Sequence, residues 1–335
     1  MKHFLSINDI GDIKSAISTC QAIKRNPYLG QGIAKGKTLG LIFLNPSLRT
    51  KISTIKAAQN LGFNVLPIDV SDAWALEYNE GAIMDQDKAE HIKEAAAVIG
   101  RYCDIIAIRA FAKLKHKAED EKEQIFQSFV QYAGKPVVNL ESALRHPLQT
   151  LADLLTIESY REKLEKNKKP KVVLSWAPHV KALPHAVANS FVEGIQKMDY
   201  EFVITHPEGY ELDDSFTKDA KVEYDQEKAF CDADFIYVKN WSSVKEYGKV
   251  INQDKNWMID HKKLLHTSQA KVMHCLPVRR NLVIADEVLD SEHSIVIEQA
   301  ENRLYSVQYV LAELLHSNNE KLVKNEYKEA IYDEC

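Results

Sequence analysis

Short apolar runs alternate with helical patterns along the chain, and this alternation constrains the fold more than any other feature. Strand candidates in the first half are 39–44, 64–69, 104–108 and 136–140, and those in the second half are 171–176, 201–205, 222–224, 235–239 and 271–274. Helix candidates between them are 51–61, 88–101, 122–132 and 183–197. Alternating strands and helices form parallel sheets with right-handed crossovers. Because the rhythm occurs twice, the sequence predicts an α/β protein with two doubly wound parallel-sheet domains, joined by a helical segment at 146–164.

Charge and composition argue against several classes of function. The formal net charge of −5 argues against a nucleic-acid partner, which would need a basic face. No apolar run approaches the ~20 residues that span a bilayer, and the N-terminus has no signal-peptide core. The five cysteines are irregularly spaced and form no metal-binding pattern, which is typical of free thiols in a reducing compartment. We therefore expect a cytoplasmic protein with no membrane partner and no metal.

Segment 45–50 (NPSLRT) lies between the first strand candidate and a helix candidate. The first N–H groups of a helix lack internal partners, and the helix dipole favours negative charge at that end. Two hydroxyls and a guanidinium at this position favour the binding of an oxyanion, most often a phosphate. The alternative is that the hydroxyls only cap the helix and that Arg49 is an ordinary surface charge.

Charged side chains recur at the ends of the predicted strands. Ligands of open parallel sheets bind beyond the carboxyl ends of the strands. The candidates at those ends are Arg109, Glu141, His146, 176–179, 239–241 and 275–280. Each residue alone is more simply explained as a scaffold histidine or a surface charge. Their recurrence in both halves favours one shared site for an anionic ligand.

Three short segments together resemble the family of aspartate and ornithine carbamoyltransferases. Residues 47–50 (SLRT) are similar to the carbamoyl-phosphate loop S-x-R-T, and residues 146–149 (HPLQ) are similar to H-P-x-Q. Residues 274–277 (HCLP) resemble the H-C-L-P of the ornithine branch. Order and spacing match as well, and the resemblance extends to about residue 315. It implies a carbamoyl-phosphate domain over 1–146, an N-acylornithine domain over 147–301, and a helix at about 302–320 that packs back onto the first domain; the charged tail beyond has no assigned role.

Lys239 separates this chain from plain ornithine carbamoyltransferases. Those enzymes carry an aspartate in a segment like Y-x-D-x-W, and it holds the free α-amino group of ornithine. Here the segment is 237–241 (YVKNW), and no S-M-G motif follows it. Two partly desolvated cations at contact distance repel by several kcal/mol. The substrate's α-nitrogen should therefore be uncharged, and the chain resembles the N-acylornithine branch of the family.

Ala89 bears on the acyl group. By resemblance, acetyl-specific members carry Glu at this position and succinyl-type members carry Pro, so that Ala89 matches neither. A glutamate would repel the extra carboxylate of a succinyl group, whereas alanine removes that repulsion and leaves room. The sequence thus favours N-succinylornithine, with N-acetylornithine as the alternative, because a small loop shift would present Glu90 instead.

The resemblance also implies roles for individual residues. The neutral δ-amine of the acylornithine attacks carbamoyl phosphate, which is already activated, so that no cofactor is expected. Residues implied to bind carbamoyl phosphate are Ser47, Leu48, Arg49, Thr50, Trp74, Arg109, His146, Gln149, Cys275, Leu276 and Arg303, of which Arg109, His146 and Cys275 are expected to be catalytic. Residues implied to bind the acylornithine are Glu141, His179, Lys239 and Arg279. Trp74 is expected to come from the neighbouring subunit of a homotrimer; its alternative role is that of a buried loop anchor.

Cys275 has two possible roles, as a nucleophile or as a positioning residue. We favour positioning, because an amine that attacks an acyl phosphate needs no covalent relay. Two alternatives to the whole assignment stay open. One is a non-catalytic protein that binds carbamoyl phosphate or an acylated amino acid. The other is a carbamoyltransferase for a different acceptor, such as acetylornithine, ornithine or putrescine.

Overall fold

The computed structural model describes residues 1–69, 75–161, 164 and 169–316. The chain divides into two compact units. The first contains residues 1–112, 118–148 and the chain from Arg303 onward, and the second contains 113–117 and 149–302. Each unit is built on a parallel sheet, so the predicted fold class is confirmed. The division falls within two long helices, and these helices provide the predicted helical connections.

The first unit contains a four-stranded parallel sheet of order β2-β1-β5-β6. Its strands are β1 (Thr38–Phe43), β2 (Asn64–Asp69), β5 (Ile105–Arg109) and β6 (Val137–Glu141). Strands β3 (Leu76–Glu77) and β4 (Glu90–His91) pair separately. The helices of the first half of the chain are α1 (Ile13–Arg25), α2 (Leu48–Leu61), α3 (Ile92–Tyr102), α4 (Lys117–Glu121), α5 (Gln124–Tyr132) and α6 (Pro147–Arg161). The apolar runs of β1 and β5 are buried almost throughout, as expected for parallel strands covered on both faces.

The second unit contains a five-stranded parallel sheet of order β11-β10-β7-β8-β9. Its strands are β7 (Lys171–Trp176), β8 (Glu201–Thr205), β9 (Lys221–Glu223), β10 (Phe235–Lys239) and β11 (Lys271–Met273). The remaining helices are α7 (Ala186–Ile195), α8 (Asp214–Thr217), α9 (Gln226–Phe230), α10 (His261–Leu264), α11 (Asp286–Leu289) and α12 (Val296–His316). Val173, Ile236 and Val272, from three neighbouring strands, lie in one fully buried cluster. Nowhere in the described chain is a helix both long and apolar enough to cross a membrane.

One predicted helix begins later than the sequence indicates. The pattern at 88–101 predicts a continuous helix, but Glu90 and His91 instead form β4, which pairs in parallel with β3. Helix α3 starts at Ile92, and the His91 imidazole caps it by accepting a hydrogen bond from Lys93 N at 3.2 Å. Ala89 consequently lies in an extended segment, where its N–H donates to Ala75 O at 3.1 Å.

Candidate active site

Segment 45–50 connects β1 to α2: residues 45–47 form the loop, and residues 48–50 form the first turn of α2, three residues earlier than the predicted helix start. Ser47 is the residue before the first helical turn, but its side chain caps none of the helix N–H groups in the described structure. Its hydroxyl donates instead to Thr50 Oγ1 at 2.9 Å. The capping alternative is therefore wrong for Ser47, and the first turn of α2 presents N–H groups that suit an anion.

Two arginines accompany this loop. Arg303, on α12, is buried and donates from Nη2 to Thr50 Oγ1 at 3.0 Å. Arg49 is half-buried and forms no ion pair with any residue that the structure describes. The loop thus combines a helix start, two linked hydroxyls and two guanidinium groups, as a site for an oxyanion requires.

Arg109 is the last residue of β5 and is held on two sides. Its Nε and Nη2 donate to Glu141 Oε2 at 3.1 and 2.8 Å, and its Nη1 donates to the carbonyl oxygens of Asn45 and Pro46 at 2.9 Å each. These four bonds use four of the five N–H donors of a guanidinium. Among the described residues the fifth donor, on Nη2, has no partner and can bind a ligand. His146 Nε2 lies 3.9 Å from the same Glu141 oxygen.

Glu141 therefore lies in the first unit, beside Arg109 and His146, and not in the second unit with the other residues predicted to bind the acylornithine. Arg109 ends β5 and Glu141 ends the neighbouring strand β6, and the two residues pair in register next to a bulge. The carboxylate neutralises Arg109 and fixes the plane of its guanidinium, so that its direct role toward a substrate stays a prediction.

Three predicted residues meet in the second unit. Lys239 ends β10, pairs in register with Trp176 and is 9% exposed. Arg279 Nε donates to His179 Nε2 at 3.2 Å. On the other side of the ring, His179 Nδ1 lies 3.0 Å from Lys181 O and 3.1 Å from Lys181 N. Burial lowers the pKa of His179 most, and the charges of Lys239 and Arg279 lower it further.

The charge of this second-unit cluster is uncompensated. Neither Lys239 nor Arg279 forms an ion pair with a carboxylate of the described residues. A buried cation without a counter-ion is costly, and such a group is typical of a site that awaits an anionic ligand. Carboxylates are the natural ligands for a lysine and an arginine placed together.

The loop after β11 carries Cys275 and Leu276. His274 N donates to Gln299 Oε1 at 2.8 Å, and Leu276 N donates to His274 Nδ1 at 2.9 Å. Leu276 has a φ of 55°, a left-handed backbone that a branched side chain rarely adopts. Such strain is concentrated at functional sites, where it fixes the direction of a peptide group. Here the strained residue is one that the family resemblance implies to bind carbamoyl phosphate.

Gln149 is buried on α6 in the second unit, and its Nε2 donates to Asp153 Oδ1 at 2.8 Å. Sequence reasoning missed Asp153 and its second partner, Gln299. The available signal was a carboxylate one helical turn after Gln149, within a stretch of α6 rich in leucine, since residues i and i+4 share a face.

Two further residues that the sequence singles out are Trp74 and Ala89. Trp74 lies outside the described residues. Ala89 is exposed, whereas Glu90 is half-buried and lines an apolar cavity of about 210 Å³ together with Leu76, Tyr78 and Ile99. Within the described ranges, no group of three His, Cys, Asp or Glu side chains could hold a metal ion.

Two family models match the chain. The aspartate/ornithine carbamoyltransferase carbamoyl-P binding domain matches residues 2–159, and the Asp/Orn binding domain of the same family matches residues 184–314. Both matches agree with the sequence resemblance.

Individual relatives and a solved structure agree with these models. N-succinylornithine carbamoyltransferase of Bacteroides fragilis is 50% identical over 95% of this chain and 99% of its own. N-acetylornithine carbamoyltransferase of Xanthomonas campestris is 34% identical over 94% and 98%. The crystal structure of an N-acetyl-L-ornithine transcarbamylase mutant, with alanine in place of one glutamate, was solved with carbamyl phosphate and N-succinyl-L-norvaline. It aligns with a TM-score of 0.87 at 34% identity, covering 94% of this chain and 100% of that one. The chain therefore belongs to the aspartate/ornithine carbamoyltransferase family, as its three motifs predict.

Proposed function

We propose that this protein transfers the carbamoyl group of carbamoyl phosphate to the δ-amine of N-succinylornithine, giving N-succinylcitrulline and phosphate. The carrying observation is Lys239, a buried cation without a carboxylate partner among the described residues. It stands where the ornithine branch has an aspartate for a free α-ammonium group. A cation at that place disfavours ornithine by several kcal/mol and favours an acceptor that brings a carboxylate.

The first unit supplies the donor half of the proposed site. The α2 N-terminus, Arg49 and Arg303 hold the phosphate, whose negative charge grows as it leaves. The remaining Nη2 donor of Arg109 and the imidazole of His146 stabilise charge on the carbonyl oxygen. Because the acyl phosphate is already activated, catalysis consists of positioning the two reactants and stabilising this charge.

The second unit supplies the remaining groups. Lys239, Arg279 and neutral His179 bind the carboxylates of the acylornithine. The Leu276 carbonyl accepts an N–H of the reacting amine or of the carbamoyl group, and Cys275 acts by position.

The choice of a succinyl over an acetyl group rests on two supports. Ala89 puts no carboxylate where acetyl-specific members carry glutamate, and the related mutant with alanine for one glutamate was solved with N-succinyl-L-norvaline. The relatives named for N-succinylornithine also share more identity with this chain than those named for N-acetylornithine. N-acetylornithine is the second candidate, because Glu90 directly follows Ala89.

An acceptor panel tests the proposal. Purified protein is given carbamoyl phosphate with N-succinylornithine, N-acetylornithine, ornithine or putrescine, and product is measured by mass spectrometry. We expect the highest kcat/KM with N-succinylornithine. A higher value with N-acetylornithine would overturn the choice of acyl group. A higher value with ornithine or putrescine would overturn the role of Lys239. No transfer to any acceptor would favour the alternative of a non-catalytic binding protein.

The proposed assembly is a homotrimer in which Trp74 reaches the carbamoyl phosphate of a neighbouring subunit; its support is the family resemblance alone. Light scattering gives the oligomeric state. Mixing inactive Trp74→Ala and Arg109→Lys proteins after reversible dissociation should restore activity, because mixed trimers contain sites with both native residues. No restoration in trimers shown to be mixed would place Trp74 in its own subunit's site.

A further inference from the structure

Asp153, on α6, is a fully buried carboxylate that accepts hydrogen bonds from two glutamines. Its Oδ1 accepts from Gln149 Nε2 at 2.8 Å and from Gln299 Nε2 at 2.7 Å. All three side chains are at most 1% exposed. Oδ1 serves as the acceptor of both bonds, so both glutamines turn their NH₂ groups toward it.

This constraint fixes the opposite end of each glutamine amide. For Gln299, the oxygen faces the loop after β11 and accepts from His274 N at 2.8 Å. For Gln149, the oxygen is directed away from Asp153. An amide oxygen accepts hydrogen bonds and donates none, so this orientation suits a ligand that offers N–H groups.

Tyr237 joins the same cluster. Its side chain is fully buried, and burial raises the pKa of the hydroxyl most, followed by the nearby Asp153 and Cys275. The hydroxyl meets neither group with full hydrogen-bond geometry. Asp153 is thus linked to the loop of Cys275 in two ways. Gln299 bonds both Asp153 and His274 N, and the Tyr237 hydroxyl lies near both Asp153 and Cys275.

We propose that Asp153 is a positioning residue for carbamoyl transfer: it turns the Gln149 amide so that Oε1 accepts an N–H of the carbamoyl group, and through Gln299 it holds the loop of Cys275 and Leu276. The proposal rests on the proposed function, because it assigns Gln149 to the carbamoyl amine. It makes Asp153 responsible for distinguishing NH₂ from a group of similar size without N–H donors. Gln149 and Leu276 contact the substrate, and Asp153 does not.

Acetyl phosphate is the probe that separates this role from a merely structural one. It carries CH₃ where carbamoyl phosphate carries NH₂, so it cannot donate to Gln149. In Asp153→Leu, whose side chain has a similar size but no acceptor, the bond that holds the NH₂ group of Gln149 is lost, and its amide can turn this group toward the ligand. We expect carbamoyl phosphate binding to weaken about 10-fold or more, since a donor then faces a donor. Acetyl phosphate and inorganic phosphate binding should change by less than about threefold.

Calorimetry without acceptor measures these affinities for the wild type, Asp153→Leu and the control Asp234→Leu. Asp234 is also a buried aspartate of the second unit, where it accepts from Lys171 N at 2.9 Å. The control should keep the preference of the wild type for carbamoyl over acetyl phosphate, and Asp153→Leu should lose it. An equal weakening of both ligands, or an unchanged preference, would overturn the proposal. Failure of the wild type to transfer carbamoyl groups is a separate result that concerns the proposed function.

A second variant keeps the proposal testable if Asp153→Leu does not fold. Gln299→Met removes the link from Asp153 to His274 N but leaves the pair of Asp153 and Gln149 intact. We expect kcat to fall about 10-fold, while the preference for carbamoyl over acetyl phosphate is kept. An unchanged kcat, or a lost preference, would contradict the separate roles given to the two glutamines.

Discussion

Arg109 in the first unit and Lys239 in the second are both buried cations, but their surroundings differ. Arg109 is neutralised by Glu141 and tied to the backbone of the loop 45–50 through two carbonyl oxygens. Lys239 has no counter-ion among the described residues, and its charge lowers the pKa of His179 together with that of Arg279, after the larger effect of burial. The donor half is thus preorganised, whereas the acceptor half keeps positive charge that a substrate carboxylate must compensate. Under the proposed function, the fixed guanidinium of Arg109 stabilises charge in the reaction, whereas the uncompensated charge of Lys239 selects the acceptor.

The largest effect should follow from breaking the preorganised half. Lysine in Arg109→Lys keeps the charge but cannot bond Glu141 and two backbone carbonyls at once. We expect kcat/KM for carbamoyl phosphate to fall about 10³-fold, in the range for losing a fixed charge-stabilising donor. Steady-state kinetics test this, with the solvent-facing Arg101→Lys as the matched control. A loss under tenfold would show that charge alone suffices at this position.

Removal of the uncompensated charge should have opposite effects on activity and on stability. Lys239→Met keeps the length of the side chain and removes its cation. We expect kcat/KM for the acylornithine to fall about 10²-fold, while the free energy of unfolding without ligand rises by about 1 kcal/mol, because a buried unpaired charge is removed. Kinetics and denaturant titration give the two values, and exposed Lys197→Met should change neither. Lower stability of Lys239→Met would mean that its charge is compensated in the folded protein.

A smaller effect is expected from added charge near the acyl group. Ala89→Glu should lower kcat/KM for N-succinylornithine about tenfold and leave N-acetylornithine within about twofold, because only the succinyl group carries an extra carboxylate. Ala82→Glu adds the same charge to an exposed position of the same segment and serves as the control. Equal losses for both acceptors would argue that Ala89 does not face the acyl group.

The smallest effect concerns stability against pH in the second unit. Burial is the largest cause that lowers the pKa of His179, His185 and His206 below the value of 6.5. The unfolded chain binds protons on these rings as the pH falls below about 6.5, whereas the folded chain does not until the lower folded-state pKa values are reached. The free energy of unfolding should therefore decrease with falling pH in that window.

Denaturant titrations at several pH values between 7 and 5 measure this slope. His185→Gln should flatten it, because glutamine can still donate to Ser242 O, the partner of His185 at 2.6 Å, but does not titrate in this range. Exposed His266→Gln should leave the slope unchanged. A slope that His185→Gln does not alter would assign the pH dependence to other groups.

The sequence predicted what local patterns encode. The alternation of strands and helices determined the two parallel sheets, and the strand-end rule brought Arg109, Glu141 and Lys239 into consideration before any geometry was known. The start of α3 was wrong because β4 forms only by pairing with β3, and a two-residue pairing has no periodicity to detect. The bond between Asp153 and Gln299 spans 146 positions, so no local pattern could reveal it.

A competition experiment tests the central claim, that Lys239 selects an acceptor with an uncharged α-nitrogen. Equal concentrations of N-succinylornithine and ornithine compete for limiting carbamoyl phosphate, and the product ratio equals the ratio of the two kcat/KM values. The wild type should form almost only N-succinylcitrulline, and Lys239→Asp should shift the ratio toward citrulline by about 10²-fold or more, since the repulsion of the ammonium group becomes attraction. Citrulline as the main product of the wild type, or a ratio unchanged by Lys239→Asp, would contradict the account.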